Sequence, residues 1–119
     1  MAKPEIEFSS LEEIPWTAVP GGVVALTQRV LASDPETGVA TRLLRWAPGA
    51  DTTPNGVLVH DFWEEIYILE GSVHDLRLNR TFTRGMYACR PPGMEHGPWR
   101  SPEGCLMFEV RYHARKDGP

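Results

Sequence analysis

A chain of 119 residues, 41% hydrophobic and 24% charged, has the size and composition of a single soluble globular domain. Its net charge of −4 and scattered arginines exclude the clustered basic footprint that nucleic acid or an anionic membrane surface requires. No stretch approaches the roughly 20 apolar residues that cross a bilayer, and the acidic start MAKPEIEFSSLEEIPW is no secretory signal, so a cytoplasmic protein is expected.

The N-terminal arm, residues 1–22, contains SSLEEIPW, where Ser9 or Ser10 caps a short helix that Pro15 soon stops. Its EIEF segment has the pattern of an edge strand that a neighbouring copy can accept. Beyond the arm, glycines and prolines, eleven of each in the chain, cut the sequence into short pieces rich in Val, Ile, Leu, Phe, Tyr and Thr. VVALTQRVL, GVATRLLRWAP, GVLVH, EEIYILEG, SVHDLRL, RTFT, MYACRP and CLMFEVRYH read as strands. SDPETG, APGADTTPNG, LNR, PPGMEHG and RSPEG read as the turns between them. Many short strands in one small domain predict an all-β sandwich or barrel, with its core over 37–113. Cys89 and Cys105 lie in strand-like surroundings and are expected to be buried thiols. The basic tail ARKDGP reads as a frayed terminus.

Strand parity singles out one region. In EEIYILEG, Glu64, Ile66 and Ile68 share a face, opposite Glu65, Tyr67 and Leu69, and in GVLVH, Leu58 shares a face with His60. If Ile66 and Ile68 line the interior, Glu64 points inward where His60 also points inward. A buried, unpaired carboxylate costs several kcal/mol or stays protonated, and pairing with imidazoles around a cation removes that cost. The alternative is a salt bridge from Glu64 to Arg45 or Arg100. A second stretch, GMYACRPPGMEHGPWR, places His96 just after Pro91-Pro92-Gly93, a rigid turn that presets its imidazole.

Together the two stretches resemble the cupin superfamily. His60 stands four residues before Glu64, and Glu64 seven before Gly71, as in the first cupin motif. Gly85, Pro91, Gly93 and His96 match the second motif. The resemblance implies a single-domain jelly-roll-like β-barrel of two packed antiparallel sheets. It also implies a divalent metal on His60, Glu64 and His96, which would be the catalytic centre. Two positions depart from the pattern: the first motif histidine falls on Leu58, and the terminal asparagine of the second motif falls on Arg100. The remaining two imidazoles and one carboxylate equal the ligand set of non-haem Fe(II) oxygenases, so Fe(II) is favoured over Zn, Mn or Ni. His74 and Glu65 are candidates for the missing ligand, Glu65 the weaker because parity turns it outward.

Within cupins, EEIYILEGS, GMYACRPPG and EHGPWRSPEGC are similar to the small group of acetylacetone-cleaving and dihydroxyacetophenone dioxygenases and ChrR-type cupins. That likeness implies a small carbonyl or enolisable, perhaps aromatic substrate, dioxygenase-type C–C cleavage, and a homodimer. Isomerase, cyclase or lyase chemistry, a non-catalytic sensing cupin, and metal-free acid–base chemistry are the alternatives. Leu58, Phe62, Trp63, Trp99 and Arg100 are candidates for the pocket wall, while Tyr67 and Tyr87 are assigned to barrel packing. Arg90 is expected to be structural or on the surface, and His74, His113 and Glu95 to be solvated.

Overall fold

The computed structural model describes residues 2–113, so the ARKDGP tail lies outside the described residues. Nine strands follow in chain order: β1 (Thr17–Ala18), β2 (Leu26–Ser33), β3 (Ala40–Trp46), β4 (Ala50–Asp51), β5 (Trp63–Asp75), β6 (Arg80–Thr83), β7 (Tyr87–Arg90), β8 (Trp99–Ser101) and β9 (Cys105–Tyr112). Single turns of 3-10 helix at Leu11–Glu13 and Thr53–Asn55 are the only helical elements among the described residues. The first is the predicted N-terminal helix reduced to one turn, with Ser10 accepting from the Glu12 amide before Pro15 intervenes. No helix among the described residues is long and apolar enough to cross a membrane.

All pairings are antiparallel, in the order β1-β2-β3-β9-β5-β8-β4, and β6 and β7 also pair with β5. The result is an all-β, jelly-roll-like sheet curled around an interior. β5 organises it. Its first half pairs with β9 and β7, and its second half pairs with β6 and β8. The change of partners follows a bulge between Ile68 and Glu70 and passes through Gly71 at φ 78°. A methyl group on Gly71 would meet the Gly104 carbonyl oxygen at 2.1 Å, so only glycine fits there.

Alternation supplies the core. Leu44 and Trp46 of β3, Ile66 and Ile68 of β5, and Cys105 and Met107 of β9 point inward with Leu26, Val73 and Trp99. Leu26 of β2, ahead of the 37–113 span, also belongs to this cluster. EEIYILEG and SVHDLRL prove to be one strand, the predicted break being the bulge and Gly71. GVLVH forms no strand. It contributes one isolated bridge, Leu58 to His96, although Val57 and Val59 are exposed and Leu58 and His60 half-buried, as parity predicts. Strands β1, β4 and β8 went unread because short segments beside proline and glycine carry turn-like composition. Cys105 is buried as expected, but Cys89 is exposed on the outer face of β7.

Candidate metal centre

His60, Glu64 and His96 come together, the first two as strand parity predicts and the third as the cupin resemblance implies. Each offers one ligand atom, and the three atoms lie within 4.8 Å of one another. Glu64 is 3% exposed at the start of β5, and its Oε2 is 3.8 Å from His60 Nε2. The two loops that bring the histidines are joined by backbone hydrogen bonds. Leu58 and His96 exchange N–H···O bonds of 2.7 and 3.0 Å, and the Gly93 amide donates to the His60 carbonyl at 2.9 Å. This is how the rigid Pro-Pro-Gly turn presets His96. The imidazole is fixed further by a 3.1 Å contact of its Nδ1 with the Met94 carbonyl. With Nδ1 protonated, Nε2 keeps a free lone pair, the usual support for a metal-binding imidazole.

Electrostatics also suit ligation. Burial, then the nearby Arg111, lowers the pKa of His60 below its ordinary 6.5. Burial lowers that of His96 as well, against an opposing contribution from its bond to Met94. Both rings are therefore neutral at pH 7, the form that binds metal. Two donors on one ion, each about 2.1 Å away, stand roughly 3–3.5 Å apart, so small torsional closure brings this set to coordinating distance. The residues fit a divalent ion.

The neighbours of Glu64 differ from expectation. Neither Arg45 nor Arg100 reaches it. Arg45 covers the Trp16 ring, and Arg100 is exposed on β8 between inward Trp99 and Ser101. Instead Glu64 stands in register with Arg90 of β7 on one side and Arg111 of β9 on the other. Arg90 Nη1 donates to Glu64 Oε1 at 2.8 Å, and Arg111 Nε lies 3.6 Å from Oε2. The cost of burying this carboxylate is thus met by guanidinium groups, as in the salt-bridge alternative but from Arg90 and Arg111 in place of Arg45 or Arg100. Behind them Glu109, 1% exposed, binds Arg42 through both carboxylate oxygens at 2.6 and 3.2 Å and accepts from Arg111 Nε at 2.7 Å. Arg42 Nη1 also donates to Gln28 at 2.6 Å. Glu109, Arg111 and Arg42 were missed from sequence. The signal was available in CLMFEVRY, where Glu109 and Arg111 share the parity of Cys105 and Met107.

A cavity of about 580 Å³ opens over this cluster. Leu58 and Trp99 line it, as predicted, with Leu44, Ile66, Ile68, Val73, Phe82 and Met107 deeper in. Three predicted wall residues lie elsewhere. Trp63 stacks on Tyr112 on the outer face, Arg100 faces solvent, and Phe62 stacks against His60 with ring centroids 4.5 Å apart without lining the cavity. Arg90 is a cavity residue rather than a surface one. Neither substitute ligand joins the cluster: Glu65 accepts from the Tyr87 and Tyr112 hydroxyls on the outer face, and His74 Nδ1 contacts Thr81. Tyr67 and Tyr87 are exposed and lie outside the hydrophobic core cluster, not within barrel packing as expected. His113 and Glu95 are exposed, as predicted.

The model of one protein family, described as the ChrR Cupin-like domain, matches residues 6–115. The chain belongs to this cupin family. Solved structures agree on the fold. An RmlC-like cupin from Shewanella frigidimarina is 24% identical, with a TM-score of 0.72 and 98% of each chain covered. An acetylacetone dioxygenase from Acinetobacter johnsonii is 16% identical, with a TM-score of 0.67 over 100% of this cupin and 83% of that chain. A polyketide cyclase from Streptomyces resistomycificus is 20% identical, with a TM-score of 0.69 over 94% of this cupin and 82% of that chain. A search of curated proteins finds no match.

Proposed function

We propose that this cupin is a metal-dependent enzyme acting on a small carbonyl or enolisable compound, with dioxygenase-type C–C cleavage as its leading reaction and Fe(II) as the favoured ion. The observation that carries the reading is the convergence of His60, Glu64 and His96 beneath a largely apolar cavity. A divalent ion held there would supply Lewis acidity and, as Fe(II), reactivity toward O2. The chain's own part is to keep both imidazoles neutral, to fix His96 through Met94, and to keep bulk water from the bound compound with the apolar wall. The position left open by Leu58 gives substrate a place beside the ligands. Likeness in fold to a named acetylacetone dioxygenase and a polyketide cyclase supports chemistry next to a carbonyl. The same reading includes a homodimer, supported by the uncovered Ile6 and Phe8 of the N-terminal arm.

Metal analysis of the purified protein, supplemented in turn with Fe, Mn, Zn and Ni, tests it. Stoichiometric metal that falls sharply in His60→Ala, Glu64→Gln and His96→Gln is expected, with consumption of acetylacetone and O2 by the iron form. Sub-stoichiometric metal under every supplement sinks the proposal. The 2.8 Å Arg90–Glu64 ion pair favours one second reading, a binding cupin without turnover. Ligand-induced thermal shifts with no product formed would select it.

A further inference from the structure

We infer that the compound bound here carries a carboxylate, held by Arg111 and Arg90 beside the His60–Glu64–His96 cluster, with an apolar body extending into the inner cavity. This deepens the reading above and rests on the same site. The first support is a charge imbalance. Three guanidiniums (Arg42, Arg90, Arg111) and two carboxylates (Glu64, Glu109) form the inner charged wall, an excess of one positive charge. At the exposed rim Arg77 and Glu95 offset each other. A divalent ion would enlarge the excess. Uncompensated charge in a partly desolvated cavity is unfavourable, and an anionic guest relieves it.

The second support is the distribution of open donors. Arg42 has all three nitrogens committed, to Glu109 and Gln28. Arg90 uses only Nη1, on Glu64, and Arg111 only Nε. Their other N–H groups have no hydrogen-bond partner among the described residues, and both side chains line the cavity. A guanidinium has five donors in a planar fork that matches a carboxylate. Both forks are braced by aromatic rings, Arg111 at 4.8 Å from the Phe62 centroid and Arg90 at 5.1 Å from that of Trp99. Phe62 therefore acts on the site through Arg111. Farther in, Leu44, Ile68, Val73, Phe82 and Met107 offer an apolar body only dispersion and burial. A 2-oxo carboxylate with an aliphatic or aromatic tail satisfies both ends.

Calorimetric titration of the full chain with phenylpyruvate and with its methyl ester tests this, with and without divalent metal. The acid is expected to bind at least about tenfold more tightly than the ester in both forms. Arg111→Gln is expected to reduce that ratio to near one while metal content is unchanged, and Arg111→Lys, which keeps the charge without the fork, to fall between. Equal affinity for acid and ester in the wild-type protein overturns the inference without any variant having to fold. So does an acid preference seen only with metal and untouched by Arg111→Gln, because the ion alone would then explain it. Acid preference in a protein that takes up no metal keeps this inference and defeats the metal-enzyme reading. Metal uptake without acid preference does the reverse.

Discussion

Glu65 is adjacent in sequence to a buried candidate ligand, yet it serves the opposite face of the sheet. There it accepts hydrogen bonds from Tyr87 and Tyr112, the latter at 2.6 Å, and these bonds lower its own pKa. The bond to Glu65 pushes the Tyr112 phenol up to about 12 and raises that of Tyr87 as well. A phenol raised above its unfolded value of 10.0 contributes stability that is complete below pH 10 and is lost as pH climbs toward 12. Ultraviolet titration should therefore show Tyr87 and Tyr112 ionising late, and Glu65→Ala should return them to the ordinary range. Glu65→Ala should also unfold at lower denaturant at neutral pH, with the gap to wild type closing above pH 12. Ordinary ionisation of Tyr87 and Tyr112 in the wild type would contradict this. The contrast between Glu64 and Glu65 also explains the misplaced pocket residues. Trp63 has the parity of Glu65, so it stacks on Tyr112 outside, and Arg100 alternates with inward Trp99 and Ser101. Closeness along the chain was read as closeness to the site, and alternation overrides it.

At the scale of elements, β5 carries most of the burden, and Gly71 is where it changes partners. An alanine there must adopt φ 78° and displace the Gly104 carbonyl. Left-handed backbone costs about 1–2 kcal/mol, and forced overpacking adds about 1–3 kcal/mol. Gly71→Ala should lower the unfolding free energy measured by urea titration by roughly the sum. Gly85→Ala, at φ 88° with open space around it, should show only the smaller backbone part. Equal losses at both positions would mean that close approach to Gly104 is unimportant. What could be read from single elements was read well: the inward face of β5, the rigid approach to His96, and the all-β class. What depended on pairing between distant strands was not. Arg90 and Arg111 reach Glu64 only because β7 and β9 flank β5 in that register, and neither strand contains the information by itself. GVLVH failed for a related reason, since strand-like composition needs a partner and only Leu58 finds one.

For the molecule as a whole, the candidate ligands come from a loop, the start of β5, and the turn after β7, so one ion would tie three separate segments. Anything that binds only the folded state raises its stability, by about 2.7 kcal/mol when free ligand is 100 times its Kd. Thermal unfolding should therefore shift upward with rising Fe(II), Mn(II), Zn(II) or Ni(II), return to baseline with chelator, and shift little in His96→Gln. An identical shift in that variant would place the ion elsewhere. The starting point of this experiment is itself set by the Arg90–Glu64–Arg111 row. Because those guanidiniums already neutralise the carboxylate, burying Glu64 does not itself require an ion. That separates it from small domains whose assembly and metal uptake are one event. An ion held as proposed by His60, Glu64 and His96 would then enter a finished vessel, as a step after folding.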